Sequence, residues 1–357
     1  MNAMTQKIPA ELASFDAARL DAITSRFPRL RVAVLGDFFL DKYLDTDPRL
    51  VEKSLETGRA AHQVAAVRHS PGAAGTVANN LSALGAGTLH AIGFTGDDGE
   101  GWELRRDLAA IRCDTAHLHV APERMTPVYL KPRDFTRPGL DGEHDRYDTK
   151  NRRPAPPEIL RAIIGSLEKI VSQTDAILVM DQVTEEGTGV LSGPVIESLA
   201  ALAPRHPRVV FWADSRGRIR RFRNVITKVN EFEVLNIEAP PPGSVVNDND
   251  VARETERLAA LTGAPVFTTL GKRGVRLSGN GPVVPGVCVS GPVDTTGAGD
   301  SFSAGAVLAL AAGATRAEAA LVGNLTASVT VRQLATTGTA TPQDLAKAFE
   351  IWRSQNA

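Results

Sequence analysis

The chain predicts an α/β fold, with a mostly parallel central sheet flanked by helices on both faces and a small β lid. Three observations predict it. Short apolar runs recur along the chain, each separated from the next by a segment of helical pattern. Those runs are apolar throughout rather than alternating, as strands are when helices cover both faces of their sheet. Two long polar stretches interrupt the rhythm in the N-terminal half, and such insertions in a compact α/β domain are commonly lids or irregular loops.

Taken in order, residues 1–29 form an N-terminal helical extension. Leu12, Phe15, Leu20, Ile23 and Phe27 fit a short amphipathic helix there. Residues 30–350 form the main domain. Its predicted strands are Arg31–Leu35, Leu89–Phe94, Ala176–Met180, Val209–Ala213, Val225–Val229 and Val266–Leu270. Predicted helices lie over Ala74–Leu84, Trp102–Ile111, Pro157–Val171, Gly189–Leu202 and Asn249–Leu261, with a further helix late in the chain. Residues 40–69 and 125–157 are the lid segments, in which Met125–Lys131 and Asp145–Asp148 read as strands.

The 357 residues are 43% apolar and carry a formal net charge of −1. That is enough chain for one large core or two modest ones. The mixed charges leave no footprint for nucleic acid or an anionic membrane. Two distant cysteines, Cys113 and Cys288, suggest neither a disulfide framework nor a zinc cluster, which points to a reducing cytoplasm. The N-terminus lacks a signal-peptide pattern, and the longest apolar stretch, near Ala304–Ala312, is too short to span a bilayer. A soluble cytoplasmic protein is expected.

The chemistry concentrates in Asp294-Thr295-Thr296-Gly297-Ala298-Gly299-Asp300-Ser301-Phe302. If a helix starts at Ala298 or Gly299, its first N–H groups and its dipole favour an anion. Asp300 then stands in the first turn beside that anion. This suits an acid that takes a proton from a nucleophile attacking a bound phosphate. The plain alternative is a helix start with a favourable first-turn Asp.

Other strand ends carry polar groups. Asp37 and Asp41 follow the first strand, where ligands of open parallel sheets bind, and could accept hydrogen bonds from a polyol. Gly72 and Thr76 lie in a small-residue turn that leads to Asn80 in a helix. Asn230 and Glu233, three apart on one helical face, could hold water around Mg²⁺. Five arginines crowd residues 216–223, and Arg216, nearest its strand end, is the candidate phosphate ligand. Thr269-Leu270-Gly271-Lys272-Arg273-Gly274 suits a backbone wrapped around a nucleotide, and is equally an ordinary hairpin. A Walker P-loop, a dinucleotide G-x-G-x-x-G after the first strand, H-E-x-x-H and G-x-S-x-G are all missing.

In this order the motifs resemble the ribokinase-like (PfkB) carbohydrate kinases over roughly residues 30–345. The 294–302 stretch is the specific element. The GDFFLDKY, PGAAG–VANNLSALGA and DSRG segments are most similar to the branch that phosphorylates heptose phosphates at the anomeric hydroxyl. The resemblance implies a ribokinase-like fold and an ATP- and Mg²⁺-dependent kinase, with a monovalent cation left open. It implies a catalytic base at Asp300 and an anion hole from Gly297, Ala298 and Gly299. Asn230 and Glu233 would lie near the Mg²⁺–phosphate site. Thr269, Gly271, Gly274, Asn324 and Gly338 would line the nucleotide site, together with Arg216. Asp41, with Asp37, Gly72, Thr76 and Asn80, would face the sugar. Lid sheets of this kind often pair between subunits in the family, which leaves the oligomeric state open, a homodimer through the lid included.

The chain departs from the pattern in places. Ala73 stands for a paired glycine and Thr76 for the sugar-binding Asn. Arg216 replaces a Lys, and Asp181-Gln182-Val183 replaces Asp-Tyr-x-Lys-Gly. Three other readings compete: a nucleoside kinase of the same family, a non-catalytic sugar or nucleotide sensor on this fold, and a Rossmann-type oxidoreductase.

Overall fold

The computed structural model describes residues 8–356 apart from 242, 282 and 335, with residues 139 and 140 described by their backbone alone. The first seven residues of the expected extension lie outside the described residues. In chain order the elements are α1 (Ala17–Thr24), β1 (Arg31–Gly36), β2 (Phe38–Thr46), β3 (Glu52–Lys53), β4 (Ala60–Ala61), β5 (Val64–Ala73), α2 (Ala74–Ala83), β6 (Thr88–Thr95) and α3 (Gly99–Ala110). There follow β7 (Cys113–Val120), β8 (Val128–Asp134), β9 (Tyr147–Thr149), α4 (Pro157–Ile170), β10 (Ala176–Asp181), α5 (Gly193–Leu202), β11 (Val210–Ser215) and β12 (Ile226–Asn230). The chain closes with α6 (Asp248–Thr262), β13 (Val266–Thr269), β14 (Val275–Leu277), β15 (Val283–Val284), α7 (Ala298–Ala311), α8 (Arg316–Thr330) and α9 (Pro342–Gln355).

Among the described residues, nine strands form the main sheet in the order β15-β14-β13-β12-β11-β10-β1-β6-β7. All neighbours from β13 to β7 run parallel, and only β14 and β15 pair antiparallel at one edge. Two apolar clusters cover its faces. One joins α2, α7, α8 and α9 to the sheet and takes in Leu12, Phe15, Leu20, Ile23 and Phe27 of the N-terminal segment. The other packs α4, α5 and α6 on the opposite face. Both faces of β1 and β10 are therefore dry, which is why their sequences are unbroken apolar runs.

Two elements differ from the sequence expectation. Cys113–Val120 is an edge strand hidden in its sequence by Asp114, His117 and His119. An edge strand pairs on one side only and needs fewer apolar side chains. The mixed stretch after Leu40 is a long antiparallel pair of strands, with β2 against β5 from Phe38↔Ala73 to Asp45↔Ala66. These two strands join β8 and β9 in a second sheet of order β5-β2-β8-β9. Asp37 alone separates β1 from β2, so the small sheet is rooted at the carboxyl end of the main one. Lys42 reaches Glu103 (2.9 Å) and Glu100 (3.4 Å), and His69 pairs with Asp107, which ties the small sheet to α3.

Candidate active site

The carboxyl ends of the parallel strands bring Asp37, Asp181, Asp214, Asn230 and Thr269 to one edge of the sheet. Such a row is where ligands of open α/β sheets sit. Helix α7 begins at this edge. Its N-cap Gly297 is in the left-handed conformation (φ 75°, ψ 4°), which glycine adopts without the cost a side chain would add. Asp294 fixes the approach by accepting the Thr296 N–H at 2.9 Å. The Ala298 N–H is spent on Thr295 O at 3.1 Å, so it is unavailable to the expected anion hole. The N–H groups of Gly297, Gly299 and Asp300 have no acceptor among the described residues. They are the open donors of this terminus, where the helix dipole also favours an anion.

Asp300 stands in the first turn of α7, half-buried, and its carboxyl is pushed up to about 7. Burial is the main cause and the Asp214 carboxylate adds to it, while Lys228 and Arg216 pull the other way. Asp41 on the small sheet also raises it, so the two carboxylates lie close enough to interact. Lys228 lies on β12, buried, and donates to Asp214 Oδ2 at 2.9 Å. Burial disfavours its charge, but Asp214, Glu233 and Asp300 outweigh burial and hold its pKa above the ordinary lysine range.

On the small sheet, Asp41, Tyr129 and Lys131 stand on one face, with Asp41 opposite Tyr129 and Tyr43 opposite Lys131. Lys131 Nζ lies 3.4 Å from Asp41 Oδ1 and donates to the Tyr43 hydroxyl at 3.3 Å. Burial raises the Asp41 pKa against the pull of Lys131 and Arg146. Gly72 packs closely on this acid: a β-carbon on it would stand 3.0 Å from the Asp41 carboxyl carbon and press the carboxylate aside. Arg146 stacks over the Tyr129 ring at 4.3 Å. From the main sheet, Arg216 reaches toward the same space. It bonds Gln182 Oε1 at 2.9 Å, and its charge acts on Asp300, Glu233 and Tyr129. The other arginines of that loop tie the chain together: Arg218 pairs with Asp181 and Arg220 donates to Val234 O at 2.8 Å.

Asn230 and Glu233 form a reciprocal turn rather than one face of a helix. Asn230 Oδ1 accepts the N–H groups of Phe232 and Glu233, and Glu233 Oε2 accepts the Asn230 N–H at 2.7 Å. This leaves Glu233 Oε1 open, beside Lys228 and Asp214. Among the described residues no group of three His, Cys, Asp or Glu could cage a metal alone. The donor set fits Mg²⁺, which keeps several waters and shares itself with phosphates. Thr269 is the register partner of Asn230, and Leu270–Gly274 closes the β13–β14 hairpin, so the ordinary-hairpin reading is realised at this edge. Gly271 and Gly274 both have positive φ (56° and 99°). A β-carbon on Gly274 would collide with Val284 O.

Several expected ligands are engaged elsewhere. Asp37 accepts the main-chain N–H groups of Gln182, Val183 and Val190 at 2.8–3.1 Å. Its carboxyl, pushed up to about 6 by burial and then by Asp181, anchors the 182–190 loop instead of presenting itself to a polyol. Asn80 is fully buried and gives its side-chain NH₂ to Thr76 O and Gly338 O. Gly338 packs against Thr330, where a β-carbon would meet the carbonyl at 2.7 Å. Asn324 donates to Val284 O and Pro285 O, so it braces the strand behind the Gly274 hairpin. Thr76 does reach the site, since its methyl would lie 3.5 Å from a β-carbon on Gly297. Ala73 adopts φ 54°, ψ −117°, a conformation suited to glycine. Lys228, Asp214, Lys131, Tyr129 and Arg146 escaped the sequence reading. The one signal for Lys228 was a charge inside an otherwise apolar strand.

Fold and site together define the class: a ribokinase-type α/β protein whose acid stands at an open helix N-terminus beneath a small second sheet. Residues 224–344 match the model of the pfkB family carbohydrate kinases. The chain is 27% identical over 341 residues to the bifunctional protein HldE of Trichlorobacter lovleyi, covering 94% of this chain and 66% of that one. With the bifunctional protein HldE of Caulobacter vibrioides it shares 30% over 317 residues, 85% of this chain and 60% of the relative. The chain thus spans less than two thirds of the length of these relatives. Among solved structures it superposes on phosphofructokinase-2 from Escherichia coli in complex with substrates and products (TM-score 0.64, 18% identity, 92% of this chain and 100% of that one). Ribokinase from Thermotoga maritima gives a TM-score of 0.62 at 18% identity, over 90% and 99% of the two chains.

Proposed function

We propose that the chain transfers the γ-phosphoryl group of ATP to a hydroxyl of a sugar or sugar phosphate, in the manner of a heptose-phosphate kinase. One observation carries the reading: Asp300, shifted toward neutrality, stands beside open helix-terminal N–H groups and within electrostatic reach of Asp41. Asp41 orients the acceptor sugar. Asp300 takes the hydroxyl proton as the sugar oxygen bonds to the γ-phosphorus and the bond to the ADP oxygen breaks. The N–H groups of Gly297, Gly299 and Asp300 receive the charge that develops on the transferred group. Asn230 and Glu233 would hold Mg²⁺ near the phosphates, where it would neutralise their charge. Thr269, Gly271 and Gly274 shape the nucleotide side.

A phosphorylated sugar suits the cation content of the small sheet. Lys131, Arg146 and Arg216 converge around Tyr129 and Asp41, and guanidinium groups pair bidentately with phosphate. ADP release measured with Mg²⁺ and ATP across pentoses, hexoses, heptoses, their phosphates and nucleosides tests the proposal. A sugar phosphate is expected to give the highest kcat/KM. Preference for a nucleoside would move the chain to the nucleoside kinases. Tight sugar and ATP binding with no ADP release would make it a sensor.

A further inference from the structure

Lys228 sits in the middle of a buried strand, where an ammonium must be both paired and useful to be tolerated. Its side chain is 8% exposed and Asp214 is its sole hydrogen-bond acceptor among the described residues. An ammonium has three donors, so two N–H bonds remain without a partner. Their position is set by α7. A β-carbon on Gly299 would stand 2.7 Å from Lys228 Nζ and collide with it. Gly299 has no positive φ. Clearance for Lys228, rather than backbone freedom, is therefore what residue 299 must provide. The ammonium lies directly under the first turn of the helix, beside the unpartnered Gly299 and Asp300 N–H groups.

We propose that Lys228 is a catalytic residue: anchored by Asp214, it uses its spare N–H bonds to hold an oxygen of the γ-phosphoryl group during transfer. The inference rests on the kinase reading above. Three main-chain N–H groups alone bring no formal charge to a phosphoryl group that carries its own charge over three oxygens. A fixed ammonium below them supplies a formal positive charge from the protein side. The dry surroundings keep that cation effective, because charges attract more strongly away from water. Three acidic neighbours, Asp214, Glu233 and Asp300, keep it charged while the site is empty.

Lys228→Met, which keeps length and loses charge, tests this by two readouts. With a sugar phosphate at saturation, kcat should fall by about 10²–10³-fold, the loss typical of one removed oxyanion donor, with the sugar KM little changed. By calorimetry, the variant should lose affinity for a non-hydrolysable ATP analogue by about tenfold more than for ADP, the size of one charged contact. A kcat within about threefold of the parent, or equal losses for diphosphate and triphosphate, would overturn the proposal and leave Lys228 as a partner for Asp214 only. If Lys228→Met does not fold, Gly299→Ala displaces the ammonium from above and should show the same selective loss of triphosphate affinity; unchanged selectivity would overturn it equally. A parent protein that releases no ADP with any acceptor defeats the kinase reading instead, and the nucleotide affinities still decide the contact.

Discussion

At the scale of single residues, Asp300 is held in tension between Asp214 and Asp41, which favour its neutral form, and Lys228 and Arg216, which favour its charge. A base must be ionised to act, so kcat/KM should climb with pH through about 7 and level off above it. A profile flat from about pH 5.5 to 8.5 would contradict the assignment. Stability runs the other way. A carboxyl that ionises near 7 when folded, and near its ordinary value when unfolded, holds its proton more tightly in the folded chain. Its contribution is full below about pH 4 and is lost as pH rises through 7. Asp300→Asn should therefore melt about 2 °C or more above the parent at pH 8, a shift that scanning calorimetry reads. Ala73 offers a second case. Its backbone lies where glycine is favoured, so Ala73→Gly should stabilise the chain by about 1 kcal/mol in urea unfolding, and a lower midpoint would show the conformation is unstrained. The place of Asp300 in the first turn of α7 was legible in sequence because it is local, fixed by the glycines around it. Lys228 and Lys131 were not, because their partners lie 14 and 90 positions away, at Asp214 and Asp41.

At the scale of elements, the carboxyl edge of the sheet is built from short loops that use side-chain caps in place of further secondary structure. The 182–190 loop is the clearest instance, with three main-chain N–H groups converging on Asp37. Asp37→Ala strands all three donors and should cost about 3 kcal/mol in chemical unfolding. The penalty should also show as faster hydrogen exchange confined to that loop. A loss below about 0.5 kcal/mol would mean the loop is held by other contacts. Asp37 looked like a polyol ligand in sequence because a Gly-Asp turn at a strand end has the same signature whether the acid faces a ligand or a loop. Strands β1 and β10 were legible for the opposite reason, since burial on both faces leaves an unbroken apolar run. Strands β2 and β5 pair in a small sheet that is half open to solvent, and their mixed composition hid them until the pairing partner was known.

At the scale of the whole molecule, the two sheets bring Asp300 and Asp41 close enough to interact, and the proposed reaction draws on groups from both. Asp300 and the helix terminus come from the main sheet layer, while Asp41, Lys131 and Tyr129 come from the small sheet. Lys42 with Glu100 and Glu103, and His69 with Asp107, join the two bodies near α3. If the small sheet reads the acceptor, Lys131→Met should raise the KM for a sugar phosphate by about tenfold, the value of one charged hydrogen bond, and leave the KM for ATP unchanged. A rise in the ATP term alone would place Lys131 on the nucleotide side. The outer strand β5 exposes Val64 and Val67, and pairing of two copies along it, as the family resemblance allows, would appear as a dimer in sedimentation. The most direct test of the whole account is sugar-phosphate-dependent ADP release by the parent chain and by Asp300→Asn, each shown by calorimetry to bind ATP. The account predicts a fall of about 10²–10⁴-fold in kcat with ATP affinity nearly intact. Full turnover by Asp300→Asn would contradict it.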